Sequence, residues 1–169
     1  ALLSKIRPDG TTKFRLVWDF LRSVVNSTAK QGERIVLPRV ADLVNDILEL
    51  AATLKHGEGL ALFIVDVESA FHLLPIHPNE RKYLSTKVGG RLQEYFCLVF
   101  GPRTGPTIWG RVAAWIGRST QAVSSSERAR LEIFVDDPAT VLKGAPDTIL
   151  ETALLMTWWW KILNIPMSW

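Results

Sequence analysis

Three carboxylates stand at points where predicted strands end. Asp66 follows the apolar run 60–65, and Asp136 and Asp137 follow the apolar run 131–135. Neighbouring residues of a strand point to opposite faces, so Asp136 and Asp137 converge only where the backbone turns sharply, as at a hairpin tip. If the strand that bears Asp66 lies beside this hairpin, three like charges crowd together and need a cation to stay ionised. Taken singly, each carboxylate also fits a turn former, a helix cap or a solvated loop residue.

The residue types of this cluster favour magnesium. Carboxylate oxygens are hard ligands, and few His or Cys residues lie nearby, which favours Mg²⁺ over zinc. Two such ions can activate a 3′-hydroxyl group and stabilise a departing pyrophosphate in an in-line displacement. The three carboxylates therefore predict phosphoryl-transfer chemistry.

Paired strands and helices must position these carboxylates. Hydrophobic periodicity and Gly/Pro turn signals predict where the elements lie. In chain order they are a strand at 13–18, a helix from Pro38 to near His56-Gly57, a strand at 60–65 buried on both faces, a hairpin of 82–88 and 91–99 around Gly89-Gly90, a helix at 106–123, strands at 131–135 and 140–142 joined by 136–139, and a helix at 145–163. This order predicts an α+β fold with a largely antiparallel sheet.

The composition is that of an ordinary globular domain. Of the 169 residues, 47% are hydrophobic and 22% are charged, which argues against a disordered or coiled-coil chain. The one cysteine, Cys97, cannot form an internal disulfide, so we expect an intracellular location, cytoplasmic or nuclear. No apolar run is long enough to cross a bilayer, so we expect no membrane partner. Because the first residue is not methionine, we expect the chain to be a piece of a longer protein.

Positive charge is concentrated at the amino-terminal end. The first 40 residues carry eight Lys or Arg and three Asp or Glu, whereas the whole chain has a net charge of +3. A basic segment on a nearly neutral body suits a surface that meets phosphates, although a solvated face would have the same composition.

Five segments together resemble the motifs of reverse transcriptases from retroelements. Asp66–His72, followed by Leu-Pro-Ile, is similar to the first palm motif, an Asp with an aromatic residue five positions on. Leu98–Pro106 is similar to the second motif, and Phe134–Asp137 resembles the Tyr-x-Asp-Asp box. Upstream, Lys13–Asp19 with Asn26 resembles the fingers motif, and Arg7–Gly10 resembles the fingertip turn before it. Four of these motifs stand in the family's order and at family-like separations.

The resemblance implies a fold, an activity and a set of partners. The fold would be a polymerase palm, with an antiparallel sheet packed on helices, plus part of a fingers subdomain. Residues 1–60 and about 77–104 would be mainly fingers, 61–76 and 105–169 mainly palm, and the thumb would be absent. The activity would be RNA-directed DNA synthesis with two Mg²⁺ ions, or Mn²⁺. The partners would be an RNA or DNA template-primer duplex, deoxynucleoside triphosphates, the missing thumb, and RNase H or integrase domains of the same polyprotein.

The resemblance also implies a role for each motif residue. The metal ligands would be Asp66, Asp136 and Asp137, with the carbonyl group of Val67. Phe71 would be the steric gate against a ribonucleotide 2′-hydroxyl. The remaining contacts to the incoming nucleotide would come from Arg15 on the triphosphate, from Arg7 and Lys13 beside it, and from Phe100 and Gly101 near the base and sugar.

Alternatives remain at the level of residues and of function. Phe71 fits a core residue as well as a gate, Arg15 fits a surface strand residue, and Phe100-Gly101 fits an ordinary turn. Val99 replaces the usual Pro of the second motif, and Pro138 directly follows the two Asp. The rival functions are an RNA-dependent RNA polymerase, which an aromatic gate argues against, a catalytically inactive palm-fold module for nucleic-acid binding or assembly, and an unrelated metal-dependent phosphohydrolase.

Overall fold

A computed structural model describes residues 2–6, 10–20 and 24–168 of the chain, and it has the predicted α+β character with small antiparallel sheets. The elements in chain order are β1 (Leu2–Ile6), β2 (Thr12–Leu16), α1 (Val25–Thr28), α2 (Val40–Ala51), β3 (Gly59–Ile64), β4 (Asp66–Val67), a 3₁₀ turn (Ala70–Leu73), α3 (Pro78–Arg81), a second 3₁₀ turn (Lys82–Leu84), β5 (Ser85–Val88), β6 (Arg91–Glu94), α4 (Gly105–Val123), β7 (Ala129–Phe134), β8 (Asp137–Gly144), α5 (Pro146–Ile162) and β9 (Met167–Ser168).

The chain divides into two compact units, each described here by itself. Unit 1 comprises residues 1–34 and 69–109, and unit 2 comprises residues 35–68 and 110–169. Unit 1 contains two small antiparallel sheets, β1–β2 and β5–β6. The β5–β6 hairpin turns at Gly89-Gly90, as the sequence predicts, because both glycines adopt the left-handed backbone that such a turn requires.

Unit 2 is built on a three-stranded antiparallel sheet in the order β3-β8-β7. One face of the sheet packs on α4 and α5: the ring of Phe63 on β3 stacks on Trp160 of α5 at 6.0 Å between ring centres. The buried indole Nε1 of Trp160 donates a 2.8 Å hydrogen bond to Thr120 of α4, which ties the two helices together. These contacts fix the sheet from one side.

Helix α2 packs on the opposite face of the same sheet. Arg130 of β7 forms ion pairs with Asp46 and Glu49 of α2. Lys143 of β8 donates a 2.7 Å hydrogen bond to Thr53, just beyond the end of the helix. Because side chains alternate along a strand, Arg130 and Lys143 point away from the face that Phe63 shares with its cross-strand partner on β8. The sheet is therefore the middle of three layers.

Several predictions about these elements are wrong. The strands predicted at 82–88 and 91–99 are shorter, because 82–84 form a 3₁₀ turn and β6 ends at Glu94. Strand β3 was expected to be buried on both faces, but Leu62 and Ile64 are 50% and 58% exposed. The reason is that β3 is an edge strand of the sheet in unit 2, so α2 covers the central β8 more completely. Helix α2 was expected to continue to near His56, but it ends at Ala51.

No helix among the described residues is both long and apolar enough to cross a membrane.

Candidate metal centre

Backbone hydrogen bonds hold Asp66 beside the β7–β8 hairpin. The N–H of Val65 donates to the carbonyl of Pro138 at 3.1 Å, and the N–H of Val67 donates to the carbonyl of Asp136 at 2.8 Å. Val65 and Val67 are 4% and 2% exposed, so their side chains point into the core. Asp66 lies between them and therefore presents its carboxylate on the other side of the backbone, toward solvent.

The turn of the β7–β8 hairpin begins one residue earlier than the sequence predicts and contains two residues instead of four. Phe134 and Asp137 are opposite one another in the β7–β8 pair, so the turn consists of Val135 and Asp136 rather than 136–139. Val135 has φ 62, which is a strained conformation for a β-branched residue. Pro138 is a fully buried member of β8, not a turn residue. The tight turn puts Asp136 at the tip and Asp137 at the start of the returning strand.

The three carboxylates meet at this end of the sheet. One oxygen of Asp66, one of Asp136 and one of Asp137 all lie within 4.8 Å of one another. Burial raises the pKa of Asp137, and the neighbouring carboxylates of Asp136 and Asp66 raise it further. A divalent cation would relieve this repulsion, and three carboxylate oxygens are the ligands that Mg²⁺ or Mn²⁺ prefers. The donor set therefore fits the implied ions.

Asp137→Asn is expected to stabilise the metal-free protein at neutral pH. A carboxyl whose folded pKa is raised loses stability as the pH rises from its unfolded pKa, about 4, through the folded value. The variant should therefore melt about 1–3 °C above the parent protein at pH 7, and the difference should vanish near pH 3.5. Thermal melts from pH 3.5 to 8 in EDTA measure this, with Glu127→Gln, an exposed loop carboxylate, as the control. An equal gain at all pH values would contradict the electrostatic cause.

Val67 was predicted to supply a backbone carbonyl to the metal. Its N–H donates a hydrogen bond to the carbonyl of Asp136, and its backbone pairs with Met167 of β9. The neighbouring pair in this short ladder joins Asp66 to Ser168. The role of the Val67 carbonyl stays a prediction.

Phe71 and Phe100 belong to an aromatic cluster in unit 1. Phe71 is 6% exposed, and its ring centre lies 4.9 Å from that of Phe100 and 6.2 Å from that of Trp109. Gly105 at the start of α4 lies against the Phe71 ring, at a distance where a Cβ would make an ordinary van der Waals contact. Phe71 is thus a core residue of its unit, and its role as a steric gate stays a prediction.

Gly101 lies in a turn, the alternative that its sequence left open, and the surroundings of this turn require glycine there. Its φ is +128, and a Cβ at this position would overlap the carbonyl oxygen of Trp18 and lie 2.7 Å from the Phe20 ring. The side chain of Asn26 fixes the same turn: its Nδ2 donates to the Gly101 carbonyl at 3.0 Å, and its Oδ1 accepts from the Arg103 N–H at 2.7 Å. Asn26 was matched to a motif, but no local sequence signal identifies these partners.

The predicted triphosphate contacts fall largely outside the described residues. Arg7 lies outside them altogether. The backbones of Lys13 and Arg15 belong to β2, where they pair with Lys5 and Leu3 of β1, but their side chains also lie outside the described part. Their contact with a nucleotide stays a prediction.

Comparisons with known proteins show a similarity of fold to solved structures. No family model matches the sequence, and no curated protein matches it. The fold is similar to the crystal structure of the protease–reverse transcriptase of prototype foamy virus, with a TM-score of 0.56 and 17% sequence identity. The match covers 99% of this chain and 19% of the viral chain. The chain therefore has a fold similar to part of a retroviral polymerase protein.

Proposed function

We propose that this chain is the fingers and palm part of a retroelement RNA-directed DNA polymerase. The observation that carries the proposal is the cluster of Asp66, Asp136 and Asp137 at the end of the β3-β8-β7 sheet. The fold similarity to a retroviral protease–reverse transcriptase supports it, as do the four motif-like segments in the family's order. The activity would be transfer of a deoxynucleotide to the 3′-end of a primer.

The chain's own residues would act as a rigid frame for this reaction. Asp66 and Asp136 would hold two divalent cations, with Asp137 and the Val67 carbonyl beside them. When bound, such ions lower the pKa of a 3′-hydroxyl and stabilise the charge that develops on pyrophosphate. The two backbone hydrogen bonds to Pro138 and Asp136 keep the Asp66 carboxylate in register with the hairpin before substrate arrives. Such preorganisation lowers the cost of reaching the transition state.

The other contacts of the proposal lie on unit 1. Arg15, with Arg7 and Lys13, would hold the triphosphate, and Phe100 and Gly101 would lie near the base and sugar of the incoming nucleotide. The template-primer duplex would be RNA or DNA. The thumb, and RNase H or integrase domains, would come from the same polyprotein.

The test is extension of a DNA primer on an RNA template by a longer protein that carries this chain and the proposed thumb. We expect incorporation that requires Mg²⁺ or Mn²⁺ and stops when EDTA is added. Nucleic-acid binding without any incorporation would favour the inactive binding or assembly module instead. Incorporation of ribonucleotides in preference to deoxynucleotides would favour an RNA polymerase.

Phe71→Val is expected to change sugar selectivity as well as stability. Loss of part of a buried ring should lower the free energy of unfolding by about 2–4 kcal/mol. If the ring also excludes a 2′-hydroxyl, ribonucleotide incorporation should rise about tenfold relative to deoxynucleotide, or about 1.4 kcal/mol. Melting and both incorporation efficiencies are measured on the same variant. The control is Trp109→Leu, which removes a ring that contacts Phe71 and should lower stability while leaving the selectivity ratio unchanged. An unchanged selectivity ratio in Phe71→Val would contradict the role of Phe71 as a steric gate.

A further inference from the structure

Helix α5 of unit 2 is apolar on its outer face as well as on its inner face. The inner face packs on the sheet and includes Met156 and Trp160, which are 0% and 1% exposed. The outer face carries five large apolar side chains that are 48–71% exposed, namely Leu150, Leu154, Leu155, Trp158 and Ile162. A surface helix ordinarily has polar residues on its outer face, and a helix that is apolar all round is ordinarily covered. The outer face of α5 therefore has the composition of an interface.

The exposed residues form one continuous stripe along the helix. Leu150, Leu154, Trp158 and Ile162 follow one another at intervals of four residues, so each side chain lies about one turn beyond the last. Trp158 is 69% exposed. Tryptophan is enriched among the residues that carry most of the binding energy of protein–protein interfaces, because it buries a large area at a small entropic cost.

Two opposite charges lie on the same side of α5 as this stripe. Asp147 is in the first turn and Lys161 is in the last turn, and each is seven residues from Leu154. Seven residues make almost two turns, so both charges point in nearly the same direction as Leu154. In the part of the chain that the structure describes, neither Asp147 nor Lys161 forms an ion pair. Both charges are therefore free to pair with a partner.

A second copy of α5 in the antiparallel orientation complements this face. Leu154 is the central residue of the helix, so a two-fold axis beside Leu154 aligns the two helices along their whole length. Asp147 of each copy then lies opposite Lys161 of the other copy, and Leu150 lies at the level of Trp158. A parallel pair would instead place Asp147 opposite Asp147. The face is therefore self-complementary in the antiparallel orientation, as an interface between identical subunits must be.

We propose that two copies of this chain associate through the outer faces of their α5 helices, in an antiparallel pair centred on Leu154. One helix face is smaller than the standard interface of about 800 Å² per partner, so we expect a dissociation constant of about 10–100 µM. The interface includes none of the three clustered carboxylates. Its test needs no catalysis, so its failure would leave the proposed polymerase activity standing.

The first experiment is sedimentation equilibrium of the 169-residue chain between about 1 and 300 µM. The average mass should rise from that of one chain toward that of two. Trp158→Ala should raise the dissociation constant about tenfold or more, because it removes the largest side chain of the stripe. A chain that stays a monomer at every concentration would overturn the proposal, and so would an unchanged dissociation constant in Trp158→Ala.

Leu48→Ala is the matched control for Leu150→Ala. Leu48 lies on α2 and is 61% exposed, whereas Leu150 is 59% exposed. Leu150→Ala should weaken the dimer and Leu48→Ala should leave it unchanged, and melting curves check that each variant is folded. Equal weakening by the two variants would overturn the assignment of the interface to α5.

Charge reversal tests the antiparallel orientation. At low salt, Asp147→Lys and Lys161→Asp should each weaken the dimer about fivefold, because each places like charges opposite one another at two symmetric positions. The chain has a net charge of +3, so Lys161→Asp reduces the overall repulsion between copies, and weakening by this variant reports the local pair. The double variant Asp147→Lys, Lys161→Asp should restore the parent dissociation constant. Single variants that bind like the parent chain, or a double variant weaker than both, would overturn the antiparallel pair.

Discussion

Asp136→Asn is expected to lower primer extension by about a thousandfold in a protein that contains this chain and the proposed thumb. Asp136 lies at the hairpin tip, where its carboxylate contributes one of three clustered oxygens. Ions held in this way supply several kcal/mol to phosphoryl transfer, and each 1.36 kcal/mol is a factor of ten in rate. Single-turnover incorporation measures the change, and Asp66→Asn should behave in the same way.

A second readout on the 169-residue chain separates loss of metal from loss of fold. Manganese titration followed by electron paramagnetic resonance should show bound ion in the parent chain and much weaker binding in Asp136→Asn. Glu151→Gln, an exposed carboxylate on α5, is the control and should change neither quantity. A rate of nucleotide incorporation by Asp136→Asn within tenfold of the parent rate would contradict the proposed role of Asp136 as a metal ligand.

Gly101→Ala is expected to destabilise the protein by about 3 kcal/mol or more. The new Cβ would overlap the carbonyl oxygen of Trp18, and the backbone φ of +128 is one that residues with a Cβ rarely adopt. Backbone strain of this kind costs about 1–3 kcal/mol by itself, and the overlap with backbone atoms adds to it. Urea denaturation measures the free energy of unfolding.

Gly90→Ala is the matched comparison, because it has a positive φ without the close approach. Gly90 has φ +80, and a Cβ there would meet no atom within 4 Å. Its replacement should cost only about 1–2 kcal/mol, the price of the left-handed backbone. An equal loss in the free energy of unfolding for Gly90→Ala and Gly101→Ala would show that the close approach of the Trp18 backbone to position 101 does not affect stability.

Local sequence signals predicted the parts of the fold that depend on local chemistry. The β5–β6 turn follows from two glycines in succession, and α5 follows from a long apolar stretch. The meeting of the three carboxylates follows from their places at strand ends. In each case the deciding residues are close in sequence or lie at the ends of well-defined strands.

Other features depend on neighbours that sequence periodicity does not reveal. The exposure of Leu62 and Ile64 follows from the position of β3 at the edge of the sheet. A short apolar run has the same sequence pattern in an edge strand and in a central strand, so the pattern does not predict which one forms. The short β4–β9 ladder joins residues far apart in the chain, so no local sequence pattern predicts this pairing. The need for glycine at position 101 arises from the distant Trp18 backbone.

Main-chain hydrogen bonds from the N–H groups of Val65 and Val67 hold the backbone of Asp66 beside the hairpin that carries Asp136 and Asp137. The scaffold and the chemistry are therefore separable under mutation. A descendant gene could lose Asp66 or Asp136 and still encode a chain that folds, because substitution of either side chain leaves both backbone hydrogen bonds in place. Natural selection for folding alone would not preserve the three carboxylates, so their joint presence in this chain is an argument for the proposed metal centre.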